Sequence, residues 1–265
     1  MNGEIAQRVA LVCYGNAALS GHEIPDLFST NSTSQFCASI LFNGTAGPIG
    51  SNPNEWFHAL LAEGVRGLRL AQAPRNNPKL PDRVTAGFSG GGSSWAIEAA
   101  KPDGMSDFYI ARWAVGDRKD PNRRLWLVEY KLVTTVPTPT PSTTSLQSAD
   151  DDLTSALRQI LAFAINIHAD NFAALFANAL DSLANPSTHH GYHQDLFPAG
   201  SLSPQAAALL DACQAGWVFG GMGSWNDMGL TDAEYERVSD NLYRAITEAI
   251  PAAANDSFPP PSPTQ

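Results

Sequence analysis

The run Leu125-Trp126-Leu127-Val128-Glu129-Tyr130-Lys131-Leu132-Val133 constrains this chain more than any other segment. All but two of its residues are apolar, as in a strand patterned for burial. In a strand, residues two apart share a face. Glu129 and Lys131 therefore stand side by side, and Trp126, Val128, Tyr130 and Leu132 face the other way. Two opposite charges in such a segment need a reason, because desolvating them is costly. One reason is an ion pair at the rim of a sheet. The other is a site that holds a divalent cation on the carboxylate and an anion near the lysine.

A second strand-like run lies upstream, Ser106-Asp107-Phe108-Tyr109-Ile110-Ala111-Arg112-Trp113-Ala114-Val115, rich in aromatic and β-branched residues. Residues 116–124 between the two runs are polar and turn-forming. This predicts an antiparallel hairpin with a long charged loop. Asp107 opens the first strand, and Glu129 and Lys131 lie late in the second, so the three are expected to converge at one end. Downstream, the Thr/Pro/Ser stretch 134–149 has no apolar period and predicts a loop. A helix follows, capped by Ser148 or Asp150, with Leu153, Leu157, Ile160, Leu161, Ala164 and Ile165 at helical spacing. Residues 150–184 are expected to be mainly helical and to pack on the sheet.

An Asp opening one strand, a Glu-x-Lys on the next and a helix behind them resemble the PD-(D/E)xK nuclease superfamily, the restriction-endonuclease-like fold. The likeness spans roughly residues 55 to 165. It implies an α/β (mixed α+β) fold with a central mixed sheet flanked by helices. It also implies metal-dependent hydrolysis of phosphodiester bonds in nucleic acid. Asp107 and Glu129 would hold Mg²⁺ or Mn²⁺, and Lys131 would stabilise charge or orient the attacking water. A glutamate from an earlier helix would complete the site; Glu63 is preferred over Glu55 because its spacing from Trp56 and Leu60 leans it toward the packed side, and Glu98 is a third option. Gln159 matches the helical Gln of the RecB-like branch, whose Tyr is here Phe163. Gln159 and Arg112 are the substrate-binding candidates. Asp103, in the literal Pro102-Asp103, competes with Asp107. A catalytically inactive scaffold or a protein-interaction domain is the alternative, with Trp113 and Trp225 as candidate contact aromatics.

Charge bears on that choice. The formal net charge is −10 with a pI near 4.9, which disfavours tight non-specific binding to phosphate. Yet residues 66–131 carry 12 of the 16 basic side chains and 7 of the 26 acidic ones, a formal +5 around the candidate site. DNA or RNA is accordingly the expected partner, and oligomeric state is left open.

The 265 residues, 43% apolar, predict one domain over 1–250 with an N-terminal extension and loop insertions, followed by a disordered Pro/Ser-rich tail over 251–265. No apolar stretch approaches the ~18 residues of a membrane span. Val9–Leu19 lacks the basic flank of a signal peptide. With only three scattered cysteines, an intracellular setting (cytoplasm or nucleus) is expected.

Further expectations complete the reading. Gly3–Tyr14 predicts a helix, Gly216–Met222 an irregular late strand and Thr231–Ile250 a helix. The glycine-rich 87–94 reads as a loop without the lysine of a phosphate-binding loop. His189-His190-Gly191-Tyr192-His193-Gln194-Asp195 reads as a polar loop rather than a metal site.

Overall fold

The structure, a computed structural model, describes residues 1–73, 81–88, 91–140 and 144–260. The chain opens with α1 (Gly3–Leu19), the short α2 (Leu27–Thr30), β1 (Cys37–Asn43), β2 (Pro48–Gly50), α3 (Pro53–Ala62) and β3 (Gly67–Ala73). One turn of helix, α4 (Asp82–Thr85), precedes β4 (Ser94–Ala100), β5 (Met105–Val115) and β6 (Trp126–Pro137). Helices then take over: α5 (Leu146–Asn166), α6 (Asp170–Ala184), α7 (Pro204–Ala215) and α8 (Ala233–Ala254).

The six strands form one mixed sheet in the order β2-β1-β6-β5-β4-β3. Strands β3 to β6 are an antiparallel meander, and β1 joins β6 in parallel. The fold is therefore mixed α/β, as expected, and the two strand-like runs are neighbours. The alternation in β6 is also as expected: Val128 and Tyr130 are buried, Lys131 is exposed and Glu129 is half-buried.

Burial explains the inner face. Phe42 of β1 lies flat between Trp56 of α3, 4.3 Å away, and Tyr130 of β6, 5.2 Å away. Tyr109 of β5 meets Trp56 edge-on. The helix α1 is apolar nearly all round because it is enclosed on nearly all sides, by the sheet, α3 and α8. Leu68 and Phe57 pack on the bare backbone of Gly15, where a Cβ would lie 2.5 Å from Leu68 Cδ1. Two of the polar residues buried on α1 serve the sheet: Gln7 accepts from the Tyr130 hydroxyl, and Asn16 bonds both the N–H and the C=O of Leu68.

Several expectations need correction. Residues 134–137 continue β6 as strand, and α5 starts at Leu146, capped by Ser145. Helices α5 and α6 pack on each other, α7 and α8 rather than on the sheet. Gly216–Met222 is not a strand; Trp217, Val218 and Phe219 enter the core as an irregular segment. The N-terminal residues are no extension, since α1 and β1 are central. Of the tail, 251–254 complete α8, and Phe258 packs under Arg69 of β3, 3.7 Å from the guanidinium carbon; 261–265 lie outside the described residues. So do Ser89 and Gly90 of the glycine-rich loop.

Candidate functional site

Glu129 and Lys131 project from the outer face of the sheet, away from α1 and α3. Register brings Arg112 of β5 opposite Glu129, Ile110 opposite Lys131, and Leu41 and Asn43 of β1 onto the same face. Asn43 Nδ2 donates to Glu129 Oε1 at 2.7 Å. Neither Lys131 nor Arg112 has an ion-pair partner among the described residues. Three of the sequence-derived site residues, Arg112, Glu129 and Lys131, are thus together.

Asp107 is not with them. It pairs with Thr135, five residue pairs from the Arg112–Glu129 pair, or about 17 Å along the strand. It also points to the opposite face. The register shifts between Phe108 and Tyr109, leaving Val133 unmatched, and this bulge puts Thr135 on the inner face with Asp107. There Asp107 accepts from Lys101 Nζ at 2.9 Å and from Thr135 Oγ1 at 2.6 Å. The expected convergence of Asp107 with Glu129 and Lys131 is corrected accordingly.

The other candidates are scattered. Glu63 caps the C-terminus of α3 and is exposed rather than turned to the packed side. Its charge and that of Asp107 both reach Tyr109, whose phenol burial above all pushes up to about 12. Glu55 bonds the Ser51 backbone and hydroxyl at its own helix start. Glu98 is buried against Ser106 and Arg69. Asp103 accepts from the Met105 N–H in a turn. Gln159 lies on α5 and accepts from Arg237 Nη1 of α8 at 2.7 Å. Among the described residues, no three His, Cys, Asp or Glu side chains are grouped as a metal site would need.

The face around Glu129 and Lys131 has a different character. Leu41, Ile110 and Leu127 are 41%, 45% and 43% exposed on it, with Arg112 and Lys131 between them. In the adjoining hairpin loop the acids are used internally: Asp117 accepts from Lys119 N–H, and Asp120 from the N–H groups of Asn122 and Arg124. The side chains of Arg118, Lys119, Arg123 and Arg124 stay exposed. The result is a face on which exposed apolar and basic side chains surround the Glu129 carboxylate, on a chain that is otherwise acidic.

Sequence reasoning missed one further feature. A groove of about 630 Å³ runs between β3, the end of α8 and the segment after β6, with the Arg69–Glu98 pair and Phe108 on its walls. The histidine loop is tied down rather than clustered. His190 Nε2 lies 2.8 Å from Asp181, and His193 Nδ1 2.7 Å from Ser32 Oγ, which also bonds Asp195. Trp225 is wholly buried among Phe163, Phe172, Phe176 and Tyr235, so it is no surface contact.

No protein-family model matches the chain, and no curated protein or solved structure shows significant similarity to it. No helix among the described residues is long and apolar enough to cross a membrane.

Proposed function

We propose that the protein is a protein-interaction domain whose outer sheet face binds an acidic partner protein. The observation that carries this reading is the exposure of Leu41, Leu127 and Ile110 on the face around Glu129, with Arg112 and Lys131 beside them. Large apolar side chains left exposed together on one face are characteristic of interaction sites, because such exposure is otherwise selected against. The basic side chains beside them give an acidic partner on-rate and orientation.

A metal-dependent nuclease centred on Glu129 and Lys131 is the second reading. It is favoured by the sharing of one face by Glu129, Lys131 and Arg112. The position of Asp107 weighs against it, since one Mg²⁺ with ligands at 2.0–2.1 Å does not bridge carboxylates about 17 Å apart.

Site-specific photo-crosslinking separates the two. A photoreactive residue at Leu127 should give a discrete adduct with an acidic protein from native extract. The same group at Leu175, exposed on α6, which packs on α5 and α7, should not. Cleavage of an oligonucleotide with Mg²⁺ or Mn²⁺, lost in Glu129→Gln, would replace the interaction reading with the nuclease one.

A further inference from the structure

We infer that the open edge of β5, from Ala111 to Val115, accepts an extended acidic peptide segment as an added strand, with one of its carboxylates held at Arg8. The inference rests on the interaction reading above and names the form of the partner.

The edge follows from the register. On one side β6 pairs with β5 as far as Val115; on the other, β4 pairs only with Ser106–Tyr109. Beyond Tyr109, β5 has a single neighbour. The N–H of Gly116 donates across the hairpin to Leu125 O at 2.7 Å. Backbone groups in an antiparallel strand alternate sides. Ala114, Arg112 and Ile110 therefore turn toward β6, and Ala111, Trp113 and Val115 turn outward. Those outward groups have no partner among the described residues. A row of this kind is a template for strand addition, and proteins usually blunt it with a proline, a bulge or an inward charge. The one charge between Ala111 and Val115, Arg112, projects from the outer face rather than inward, and the bulge falls at Val133, on the far side of the other strand. The indole N–H of Trp113, also without a partner, lies on the same stretch.

The inner end of the edge leads into a cavity of about 110 Å³, where β4 diverges from β5. Ala111, Trp95, Ser93, Tyr243 and Arg8 line it. That is the volume of three or four waters at ~30 Å³ each, enough for a carboxylate. The Arg8 side chain is only 6% exposed; Nη1 donates to Glu4 O at 2.9 Å and lies 3.8 Å from Glu4 Oε2, but Nε has no partner. At the outer end stand Arg118, Lys119, Arg123 and Arg124. The basic loop at the outer end, and the unpartnered Arg8 Nε at the inner end beside the Arg8–Glu4 pair, select an acidic segment.

Fluorescence anisotropy with a labelled octapeptide of alternating valine and glutamate tests this. The wild type should bind it and reject the lysine counterpart. Ala111→Pro removes an outward N–H and no bond to β6, and should weaken binding about tenfold or more. N-methylating alternate peptide bonds of the ligand should do the same with the protein untouched, which covers any misfolding of Ala111→Pro. Arg8→Gln should weaken binding severalfold. Binding unaffected by both Ala111→Pro and N-methylation overturns strand addition; if Leu127→Asp then abolishes it, the interaction face itself stands. No binding of the acidic peptide by the wild type overturns the inference, and crosslinking at Leu127 then judges the face separately. A wild-type dimer that Ala111→Pro converts to monomer would make a second copy of this chain the occupant and overturn the acidic-peptide assignment.

Discussion

Asp107 and Glu129 stand on opposite faces of one β-hairpin, five residue pairs apart. Asp107 serves the inner rim, where it ties Lys101 to Thr135. Asp107→Ala should lower stability by about 1–3 kcal/mol, since a part-buried ammonium and a hydroxyl lose their acceptor. Urea denaturation measures the loss. Peptide binding at the outer face should be unchanged once the variant is folded.

Lys131 behaves in the opposite way. Its side chain is exposed and has no ion pair among the described residues. Lys131→Ala should leave the unfolding free energy within about 0.5 kcal/mol of wild type. The same variant should bind the acidic peptide less tightly, by a factor that shrinks as salt rises. A large loss of stability would show instead that Lys131 holds the sheet together.

Asn255 gives a test of the sheet's other end. Its side chain accepts from Leu70 N–H at 2.7 Å and donates to Leu70 O at 3.1 Å, as a neighbouring strand would. With Asn16 doing the same for Leu68, two amides close the outer edge of β3. Asn255→Ala should cost about 1–3 kcal/mol. Amide exchange at Leu70 should accelerate more than at Leu68, and equal acceleration would point to global destabilisation.

The histidine loop predicts a pH dependence. Burial above all depresses His193 below the usual imidazole value, with Asp195 opposing. A depressed folded-state value means that the unfolded chain binds the proton first. The stabilisation is present above the unfolded value near 6.5 and is lost as pH falls through the folded one. His193→Asn should flatten stability against pH in that window. An undiminished slope would assign the dependence to another group.

The local patterns were legible in the sequence. Alternation around Glu129 and Lys131 fixed which residues share the outer face, and helical spacing marked α1, α5 and α8. Register was not legible. Nothing in the residues announces that Val133 bulges or that β6 runs on to Pro137, and these two facts separate Asp107 from Glu129. Glycines and aromatics at Gly216–Met222 match a strand, but those aromatics are buried against helices. Asn16 and Asn255 look like ordinary polar residues until the edge they close is seen. The tail reads as disordered by composition, yet Phe258 finds Arg69.

The most direct measurement is an amide-resolved NMR titration of the labelled chain with the alternating valine–glutamate peptide. Shifts should concentrate on Leu41, Ile110, Ala111, Arg112, Trp113, Leu127 and Lys131, with Arg8 and Tyr243 of the cavity responding and α5 to α7 silent. Shifts confined to the Arg69–Glu98 groove, or scattered over the helices, would contradict the assignment of the outer sheet face as the binding surface.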